Sequence, residues 1–269
     1  MMKLRTLAVA VGAVALTACQ AVNTTNSGAV GVERKQYMFS LISADEINDM
    51  YAKSYQETLS AAKSQGALQN TATARRVNDI SRRLIAQVGY FRPDAPKWNW
   101  EVNVIQSNEL NANCGPGGKI IVYSGIVDQL KLTDDELAQV IGHEIAHALR
   151  EHSREAMSKA YGVQMASQLG AAFGLGQGGL QAANLGVEYL MTLPNSRGNE
   201  TEADLIGLEL AARAGFNPNA SISLWQKMAQ AGNGAPPEFM STHPSSDSRM
   251  SNLQRAIPQV MPLYNQAKR

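Results

Sequence analysis

The chain has 269 residues, of which 44% are hydrophobic and 17% are charged. This composition is typical of a globular protein with a hydrophobic core and excludes an intrinsically disordered chain. The formal net charge of +1 gives no indication of a nucleic-acid partner.

The N-terminus has the pattern of a secretory signal. Lys3 and Arg5 precede an apolar stretch over residues 7–16, which is too short to span a bilayer. The sequence Leu16-Thr17-Ala18-Cys19 resembles a bacterial lipobox and implies cleavage before Cys19 and attachment of lipid to its sulfur. A plain signal peptide with a chance cysteine is the alternative. We therefore predict that residues 1–18 are a signal peptide.

The residues behind the signal predict a lipid anchor and one domain. Gln20 follows Cys19, which by resemblance to sorted lipoproteins favours the outer membrane, facing the periplasm. Residues 19–36 are rich in small and polar residues without periodicity and predict a flexible, lipidated tether. We predict a single domain over residues 37–269. Lipidation would leave Cys114 as the one free thiol, which excludes an internal disulfide.

The first predicted elements of the domain are helices. Ser43-Ala44-Asp45-Glu46 is a capping box that opens a helix through about Lys63. Residues 71–88 place apolar side chains at helical spacing and predict a second helix.

A small sheet is predicted next. Residues 98–105 alternate between apolar and polar side chains, as in a half-buried strand, and residues 119–123 form a short apolar run. Residues 109–114 are a third candidate strand. Thr133-Asp134-Asp135-Glu136 is a second capping box and starts a helix. The order of elements predicts an α+β fold, mainly α-helical, with a three- to four-stranded sheet beside that helix, and further helices at about 200–213, 220–229 and 245–256.

Residues 160–187 contain no charged residue. Their glycines and glutamines argue against a transmembrane helix. We expect a buried helix, a glycine-rich loop and another helix near the active-site cleft, with contact to a membrane or an unfolded client as the alternative.

The most informative motif lies on the helix that begins at Thr133. His143-Glu144-Ile145-Ala146-His147 places two imidazoles four residues apart, so that both lie on one helical face and can reach one cation. Glu144 lies beside them, where a carboxylate can take a proton from an attacking water. His-Glu-x-x-His on a helix is the signature of zinc metalloproteases. Because the chain has only four histidines, chance is a poor explanation of this spacing.

A catalytic zinc site needs a third protein ligand. A metzincin would need glycine and histidine where the chain has Arg150 and Ser153, which excludes that class. His152 lies about 180° around the helix from His143 if the helix continues, so a surface role or a role beside the ligands is favoured over ligation.

The other candidate ligands lie in Asn199-Glu200-Thr201-Glu202-Ala203-Asp204. Glu200 and Asp204 share a helical face, so Glu200 can ligate while Asp204 accepts a hydrogen bond from a ligand imidazole. Glu202 points some 200° away from Glu200 and is the weaker candidate. Alone, this segment would indicate only a charged helix surface. Because it follows His-Glu-x-x-His, it indicates a metal ligand specifically.

Together, His-Glu-x-x-His and Glu-x-x-Ala-Asp resemble the pattern of the gluzincin peptidases that include the HtpX proteases, the CAAX prenyl proteases and the mitochondrial Oma-type proteases. The resemblance covers roughly residues 98–264 and is strongest to the bacterial periplasmic Oma-like branch. It implies a zincin-type metallopeptidase domain with one zinc ion per chain, held by His143, His147 and Glu200. It further implies Glu144 as the catalytic base and Asp204 as the partner of a ligand imidazole. Other matching segments are Pro116-Gly117-Gly118-Lys119, Tyr123-Ser124-Gly125 and Leu132-Thr133-Asp134-Asp135-Glu136-Leu137.

The resemblance also places the loop Ser241-Thr242-His243-Pro244 over the cleft. There His243 would approach the zinc or polarise a substrate carbonyl, although a lone histidine before proline is more often structural. Arg249 would stabilise developing oxyanion charge. Cys114 is a candidate inhibitory ligand, against the more common role of a small buried apolar residue.

One segment departs from the family pattern. Asn113 and Gly115 stand where relatives commonly carry bulky apolar residues. In the family this segment adjoins the edge strand that pairs with substrate. The sequence therefore leaves open which substrate side chains the cleft prefers.

These features predict a lipid-anchored, zinc-dependent metalloendopeptidase of the bacterial cell envelope. Its expected substrates are misfolded or misassembled envelope proteins, with the outer-membrane assembly machinery as a further partner. The alternative from another class is a chaperone-like outer-membrane assembly lipoprotein, in which His243 closes the open metal position and little proteolysis occurs. A zinc hydrolase acting on peptidoglycan peptides is a third hypothesis.

Overall fold

Helices dominate the computed structural model of the chain, which describes residues 19–40, 42–172, 197–231, 238–243 and 247–269. The strands within these ranges are β1 (Cys19–Val22), β2 (Gln36–Phe39), β3 (Glu101–Ile105), β4 (Ala112–Gly115) and β5 (Lys119–Tyr123). The helices are α1 (Ala44–Ser64), α2 (Ala72–Ile85), α3 (Ser124–Gln129), α4 (Asp134–Leu149), α5 (His152–Ala172), α6 (Arg197–Arg213), α7 (Ala220–Ala231), α8 (Glu238–Thr242) and α9 (Asp247–Ala267). Two short 3-10 helices span Val88–Tyr90 and Ala95–Lys97.

The chain divides into two compact units, and each is described by itself. The smaller unit comprises, among the described residues, 19–23, 34–40, 42–47 and 153–172. The larger unit comprises Thr24–Glu33, Asn48–His152, and the described residues after 194.

The smaller unit contains an antiparallel strand pair. β1 runs against β2, with Cys19 opposite Phe39. The ring of Phe39 meets the ring of Tyr161 edge-on, with 5.4 Å between the centroids. The Arg34 guanidinium donates two hydrogen bonds to the Glu155 carboxylate, at 2.8 and 2.9 Å. Among the described residues, the strand pairing, this aromatic contact and this bidentate ion pair therefore help to stabilise the unit.

The structure of residues 19–36 differs from the flexible tether that the sequence predicts. Its first residues, Cys19–Val22, form β1. Val30 and Val32 are buried in the hydrophobic core of the larger unit. The strand partner of β1 lies in β2, and the core around the valines is built from distant helices, so the local sequence pattern does not reveal either contact.

A three-stranded sheet lies in the larger unit, in the order β3-β5-β4. β3 is parallel to β5 and β4 is antiparallel to it. β5 has the predicted bounds, and its Ile120, Ile121 and Val122 are buried. The sheet beside a set of packed helices confirms the predicted α+β, mainly helical fold.

α4 is the central helix of the larger unit. The predicted capping box is present: the Thr133 hydroxyl accepts from the Glu136 N–H, and the Glu136 carboxylate accepts from the Thr133 N–H. Every residue from Glu136 to Leu149 is buried. α4 packs against β4 on one side and α6 on another, so a helix that is buried all round carries the His-Glu-x-x-His motif.

Two glycines allow α4 and α6 to approach closely. A Cβ added at Gly207 would lie 2.6 Å from the backbone nitrogen of His143, and one added at Gly142 would lie 2.9 Å from the Gly207 carbonyl oxygen. Real side chains do not tolerate such contacts with backbone, so glycine at both positions sets the spacing of the two helices. On α6, Glu200 lies two turns and Asp204 one turn before Gly207, on the same face. The crossing therefore directs both carboxylates towards His143.

The C-terminal helix is longer than predicted. α9 continues to Ala267 through Pro258 and Pro262, and buried Leu253, Ala256 and Val260 hold it against the core. α5 covers the first part of the uncharged stretch up to Ala172; the predicted glycine-rich loop and following helix lie outside the described residues. None of the helices described is both long and apolar enough for a membrane crossing.

Candidate metal centre

Four side chains converge in the larger unit from two helices and the end of a third. His143 and His147 lie on α4, Glu200 lies in the first turn of α6, and His243 directly follows α8. One ligand atom from each lies within 4.8 Å of the others, and all four residues are buried. The three predicted zinc ligands and His243 therefore form one cluster.

The distances within this cluster match the spacing of tetrahedral metal ligands. His143 Nε2 lies 3.1 Å from His147 Nε2, 3.4 Å from Glu200 Oε2 and 3.2 Å from His243 Nδ1. Ligands bound to zinc at about 2.0–2.1 Å lie about 3.3–3.4 Å apart in a tetrahedron. One proton can bridge only one of these pairs of atoms, whereas one cation at the centre can bind all four ligand atoms. The donor set fits zinc.

Glu200 is held as an ionised carboxylate. Burial opposes its charge, but hydrogen bonds from His143 and His243 and the charge of the imidazoles hold the pKa of Glu200 well below its ordinary value. The carboxylate is therefore available as a negatively charged ligand.

The remote nitrogen of His143 is held by what we call the aspartate support, formed by Asp204 and Arg249. His143 Nδ1 lies 3.0 Å from Asp204 Oδ1, and Arg249 donates to both oxygens of Asp204 at 2.6 and 2.7 Å. Burial alone would lower the pKa of His143, but the hydrogen bonds and charges of Asp204 and Glu200 raise it to about 9. Burial likewise disfavours charge on Asp204, yet Arg249 holds its pKa below the ordinary value. Asp204 thus lies where the sequence predicted a partner of a ligand imidazole.

The remote nitrogen of His147 is held by what we call the histidine support, formed by His152, Glu202 and Arg150. His147 Nδ1 lies 2.8 Å from His152 Nδ1, and His152 Nε2 lies 3.2 Å from Glu202 Oε2. Arg150 Nε donates to the same Glu202 oxygen at 2.8 Å. Burial and the neighbouring imidazoles His143 and His152 lower the pKa of His147 well below its ordinary value. This imidazole is therefore favoured in its neutral, metal-binding form.

The placement of His152 corrects the premise that the helix continues. α4 ends at Leu149, Arg150 is its C-cap, and Glu151 has a positive φ of 50°. A non-glycine residue in this conformation ends helical geometry and turns the chain. His152 is brought back beside His147 instead of lying on the opposite side of the helix.

Glu144 lies beside the cluster with one oxygen available. Among the described residues, Glu144 Oε1 has no hydrogen-bond partner, although His243 Nε2 is 3.4 Å away. Burial raises the pKa of Glu144, while the charges of His243 and His143 and a hydrogen bond from the Cys114 N–H lower it in part. A carboxylate whose pKa is raised accepts a proton more readily, which suits the predicted role of a base.

His243 is placed by α8, which docks at the edge of the sheet. The Phe239 N–H donates to the Leu110 carbonyl at 3.1 Å, and the Phe239 ring stacks on His243 with 4.6 Å between the centroids. Arg249 also donates to the His243 carbonyl, at 3.2 Å. His243 Nδ1 therefore occupies the fourth corner of the cluster, where the sequence expected it to approach the metal.

The remaining candidates lie outside the ligand cluster. Arg249 is buried and directs its guanidinium to Asp204 and Glu200, which favours a positioning role over the predicted oxyanion role. The cluster found among the described residues does not include Cys114, whose thiol is buried with its pKa raised by burial and by Glu144. Glu202 bonds Arg150 and His152 and stays outside the cluster.

The departure at Asn113 and Gly115 is explained by a tyrosine from α1. The Tyr51 hydroxyl donates to Asn113 Oδ1 at 2.9 Å, and a Cβ added at Gly115 would overlap the Tyr51 ring. Tyr51 thus fills the space beside β4 that a bulky side chain at position 115 would need.

Sequence reasoning missed the pairing of Arg150 with Glu202 and the contact of His152 with His147. All four histidines of the chain lie in one chain of contacts, with ring centroids 4.7–5.0 Å apart. In a chain with so few histidines, the presence of His152 five residues after the motif was itself a signal. The turn that makes the contact is not visible in a helical projection.

Comparison with known proteins identifies related sequences. The family model described as Peptidase family M48 matches residues 71–257. The chain is 35% identical over 176 residues to mitochondrial metalloendopeptidase OMA1 of Saccharomyces cerevisiae, covering 62% of this chain and 50% of that protein. It is 30% identical over 256 residues to metalloprotease LoiP of Escherichia coli, covering 94% and 96%. It is 28% identical over 199 residues to the beta-barrel assembly-enhancing protease of Yersinia pestis, covering 69% and 39%.

The extent of these matches differs between relatives. The chain spans about half the length of the budding-yeast OMA1 protein and 64% of the fission-yeast one. The matched family region contains every residue of the candidate metal centre from His143 to Arg249.

Proposed function

The chain belongs to peptidase family M48, and on that premise we propose that it is a zinc-dependent metalloendopeptidase of the bacterial cell envelope. The observation that carries the proposal is the convergence of His143, His147 and Glu200 beside Glu144, whose Oε1 lacks a hydrogen-bond partner among the described residues. Metallopeptidases of this family use zinc. The proposed ligands are the two imidazole Nε2 atoms and the Glu200 carboxylate.

Each side chain of the centre has a task in peptide hydrolysis. Bound zinc would polarise the scissile carbonyl and acidify the attacking water. Glu144 would take the proton of that water and deliver it to the leaving amine, because its Oε1, without a hydrogen-bond partner among the described residues, lies beside the cluster and its pKa is raised by burial. Asp204 keeps the hydrogen of His143 on Nδ1, which leaves Nε2 as the ligand atom.

The proposed substrate lies extended along β4. The Tyr123 N–H donates to the Asn111 carbonyl, so the backbone of odd-numbered residues here faces β5. The backbone groups of Leu110, Ala112 and Cys114 therefore face the outer edge. The Leu110 carbonyl accepts from the Phe239 N–H of α8 and the Cys114 N–H donates to Glu144, so substrate can pair along the whole edge only after these groups are released. Main-chain pairing at such an edge gives affinity with little sequence specificity. Weak specificity suits a protease for misfolded or misassembled envelope proteins.

The proposed location depends on the N-terminal sequence and on the bacterial relatives. Leu16-Thr17-Ala18-Cys19 has the lipobox pattern, and LoiP of Escherichia coli aligns with 94% of the chain. We propose a lipid anchor at Cys19 in the outer membrane, facing the periplasm, with the outer-membrane assembly machinery as a further partner. Incorporation of labelled palmitate into the wild type, and its loss with release from membranes in Cys19→Ser, is the expected result. Equal membrane association of both would contradict the anchor.

A second candidate function is favoured by the position of His243. Its Nδ1 occupies the fourth corner of the cluster, and sites with four protein ligands are generally structural while catalytic sites keep one position open. In this alternative the chain is a chaperone-like assembly lipoprotein with little turnover. In the proposed protease, α8 must withdraw His243 before substrate binds.

Glu144→Gln separates the two functions. The protease should lose about 10²–10⁴-fold in the rate of casein cleavage, because the amide cannot accept the proton, while zinc content stays at one per chain. Glu57→Gln, an exposed change on α1, is the matched control and should cleave as the wild type does. Unchanged casein cleavage and full complementation by Glu144→Gln would favour the chaperone. Cleavage of cell-wall peptides but not of casein by the wild type would favour the peptidoglycan hydrolase.

Metal content tests the ligand set. Purified wild type is expected to hold one zinc ion per chain, and Glu200→Ala is expected to lose most of it. Equal zinc in both proteins would remove Glu200 from the proposed site.

A further inference from the structure

The structure gives His147 a buried partner that the peptidase mechanism above does not use. The Nε2 atom of His147 faces His143 and Glu200, at 3.1 and 3.4 Å. Its Nδ1 atom faces away from the cluster and lies 2.8 Å from Nδ1 of His152. His152 is only 1% exposed, so protein atoms surround this contact.

The positions of the hydrogens follow from the two ends of this chain of contacts. A cation on His147 Nε2 leaves the hydrogen of the neutral imidazole on Nδ1, where it can be donated only to an acceptor. His152 Nδ1 must then be the acceptor, so His152 carries its hydrogen on Nε2. That nitrogen lies 3.2 Å from Glu202 Oε2, a carboxylate oxygen that can only accept when ionised. The hydrogen bonds therefore run in one direction, with His147 donating to His152 and His152 donating to Glu202.

We propose that His152 is a positioning residue that fixes the tautomer and ring orientation of His147 as a zinc ligand. This inference rests on the proposed zinc ligands. Partners of this kind, which bond the remote nitrogen of a ligand imidazole, raise its basicity and limit its rotation. Here the partner is a neutral imidazole with a carboxylate behind it, in place of the direct carboxylate that holds His143.

Glu202 and Arg150 keep His152 in this orientation. Arg150 is fully buried, Glu202 is 5% exposed, and the two are joined at 2.8 Å. Arg150 Nη1 also donates to the Thr25 hydroxyl at 3.1 Å. A buried ion pair with these further bonds resists rearrangement, because loss of either partner would leave a charge in the core. His152 therefore cannot turn without disturbing the whole histidine support.

The backbone turn after α4 is what makes the contact possible. Glu151 adopts a φ of 50°, and α5 begins at His152. Arg92 stabilises this turn from outside by donating to the Leu149 carbonyl and to Glu151. The turn is a local feature of the chain after α4, and it directs His152 towards His147.

The test compares two replacements of His152 by zinc affinity. His152→Leu removes the acceptor for His147, and His152→Asn retains an acceptor oxygen near the former Nδ1 position. We expect the zinc Kd, measured by competition with a chelator, to rise about 10–100-fold in His152→Leu. His152→Asn should lie closer to the wild type than to His152→Leu. In the cobalt-substituted proteins, the visible absorption bands should shift for His152→Leu, because the orientation of a ligand imidazole changes.

A buried pair elsewhere in the larger unit is the matched control. Glu209 is fully buried, bonds Arg213 at 2.8 Å and accepts from the Val30 N–H at 3.1 Å. Glu209→Gln should lower the stability of the metal-free protein but leave the zinc Kd and the cobalt spectrum unchanged. Unfolding of each metal-free variant in urea separates loss of stability from loss of metal binding.

The outcomes distinguish this inference from the proposed function. If the wild type binds no zinc, or if Glu200→Ala binds as much zinc as the wild type, the proposed ligand set is wrong. Wild type with one zinc ion, and His152→Leu with the same Kd and cobalt spectrum, overturns only the role of His152. If His152→Leu does not fold, Glu202→Gln tests the same support, and an unchanged Kd and cobalt spectrum there overturns the proposal.

Discussion

The two supports of the metal centre hold equivalent histidines by different means. In the aspartate support, one carboxylate bonds His143 directly and Arg249 pairs with that carboxylate. In the histidine support, an imidazole stands between His147 and Glu202. A direct carboxylate brings a negative charge to the ligand, whereas a neutral imidazole brings mainly orientation. Two ligands four residues apart on one helix thus have unequal electronic surroundings.

The largest expected effect is that of Asp204→Asn. This change removes the charge next to His143 and leaves Arg249 facing an amide, with Glu200 as its remaining carboxylate partner at 2.9 Å. We expect the zinc Kd to rise about 100-fold and the metal-free protein to lose about 1.5–3 kcal/mol in the free energy of unfolding. Chelator competition and urea unfolding measure the two effects. A zinc Kd less affected than in Glu202→Gln would reverse the order of the two supports.

Glu202→Gln is expected to weaken zinc binding less, by about tenfold. The lost charge is separated from His147 by the His152 ring, so His147 keeps its bonded partner. Competition with the same chelator gives the comparison with Asp204→Asn directly. An equal loss in both variants would mean that the intervening imidazole transmits the full influence of the carboxylate.

Thr25→Val tests the far end of the histidine support. It removes the hydrogen bond from Arg150 to the Thr25 hydroxyl, and bonds to charged groups contribute about 1.5–3 kcal/mol. We expect a loss of stability at the lower end of this range in urea unfolding and no measurable change in the zinc Kd. A change in zinc binding would show that the N-terminal segment acts on the metal site.

The smallest effect is expected from the ion pair of Glu155 with Arg34 in the smaller unit. Burial opposes its charge, but Arg34 and Lys159 lower the pKa of Glu155 to about 2. Its contribution to stability is therefore present above its ordinary pKa of 4.5 and is lost as the pH falls towards 2. Because Arg34 is 35% exposed, we expect about 1 kcal/mol or less. The difference in urea midpoint between wild type and Glu155→Gln should shrink as the pH falls from 5 to 2. A difference that stays constant over this range would contradict the prediction.

Much of the candidate site could be predicted because its residues are related by helical spacing. His143 and His147 are four residues apart, as are Glu200 and Asp204, and each pair shares a helix face. The approach of the two helices was not predictable in this way. It depends on Gly142 and Gly207, which meet only when α4 and α6 cross.

Two predictions about the extent of elements differ from the structure for the same reason. Residues 19–36 were expected to be a tether, yet they include β1 and the buried Val30 and Val32. The C-terminal helix was expected to end near residue 256, yet α9 continues to Ala267. In each case contacts with other elements stabilise the segment, and tertiary packing overrides a weak local pattern.

Local signals in the chain were enough to predict the capping box at Thr133, the His-Glu-x-x-His motif on α4, the strand β5 and the spacing of Glu200 and Asp204. The groups that bond the remote nitrogens of the ligand imidazoles depend instead on how the elements pack. The turn at Glu151 brings His152 to His147, and the burial of Arg150 pairs it with Glu202, because a buried charge requires a partner of opposite sign. Spacing along a helix is a property of the chain, whereas the partner of a buried charge is a property of the fold.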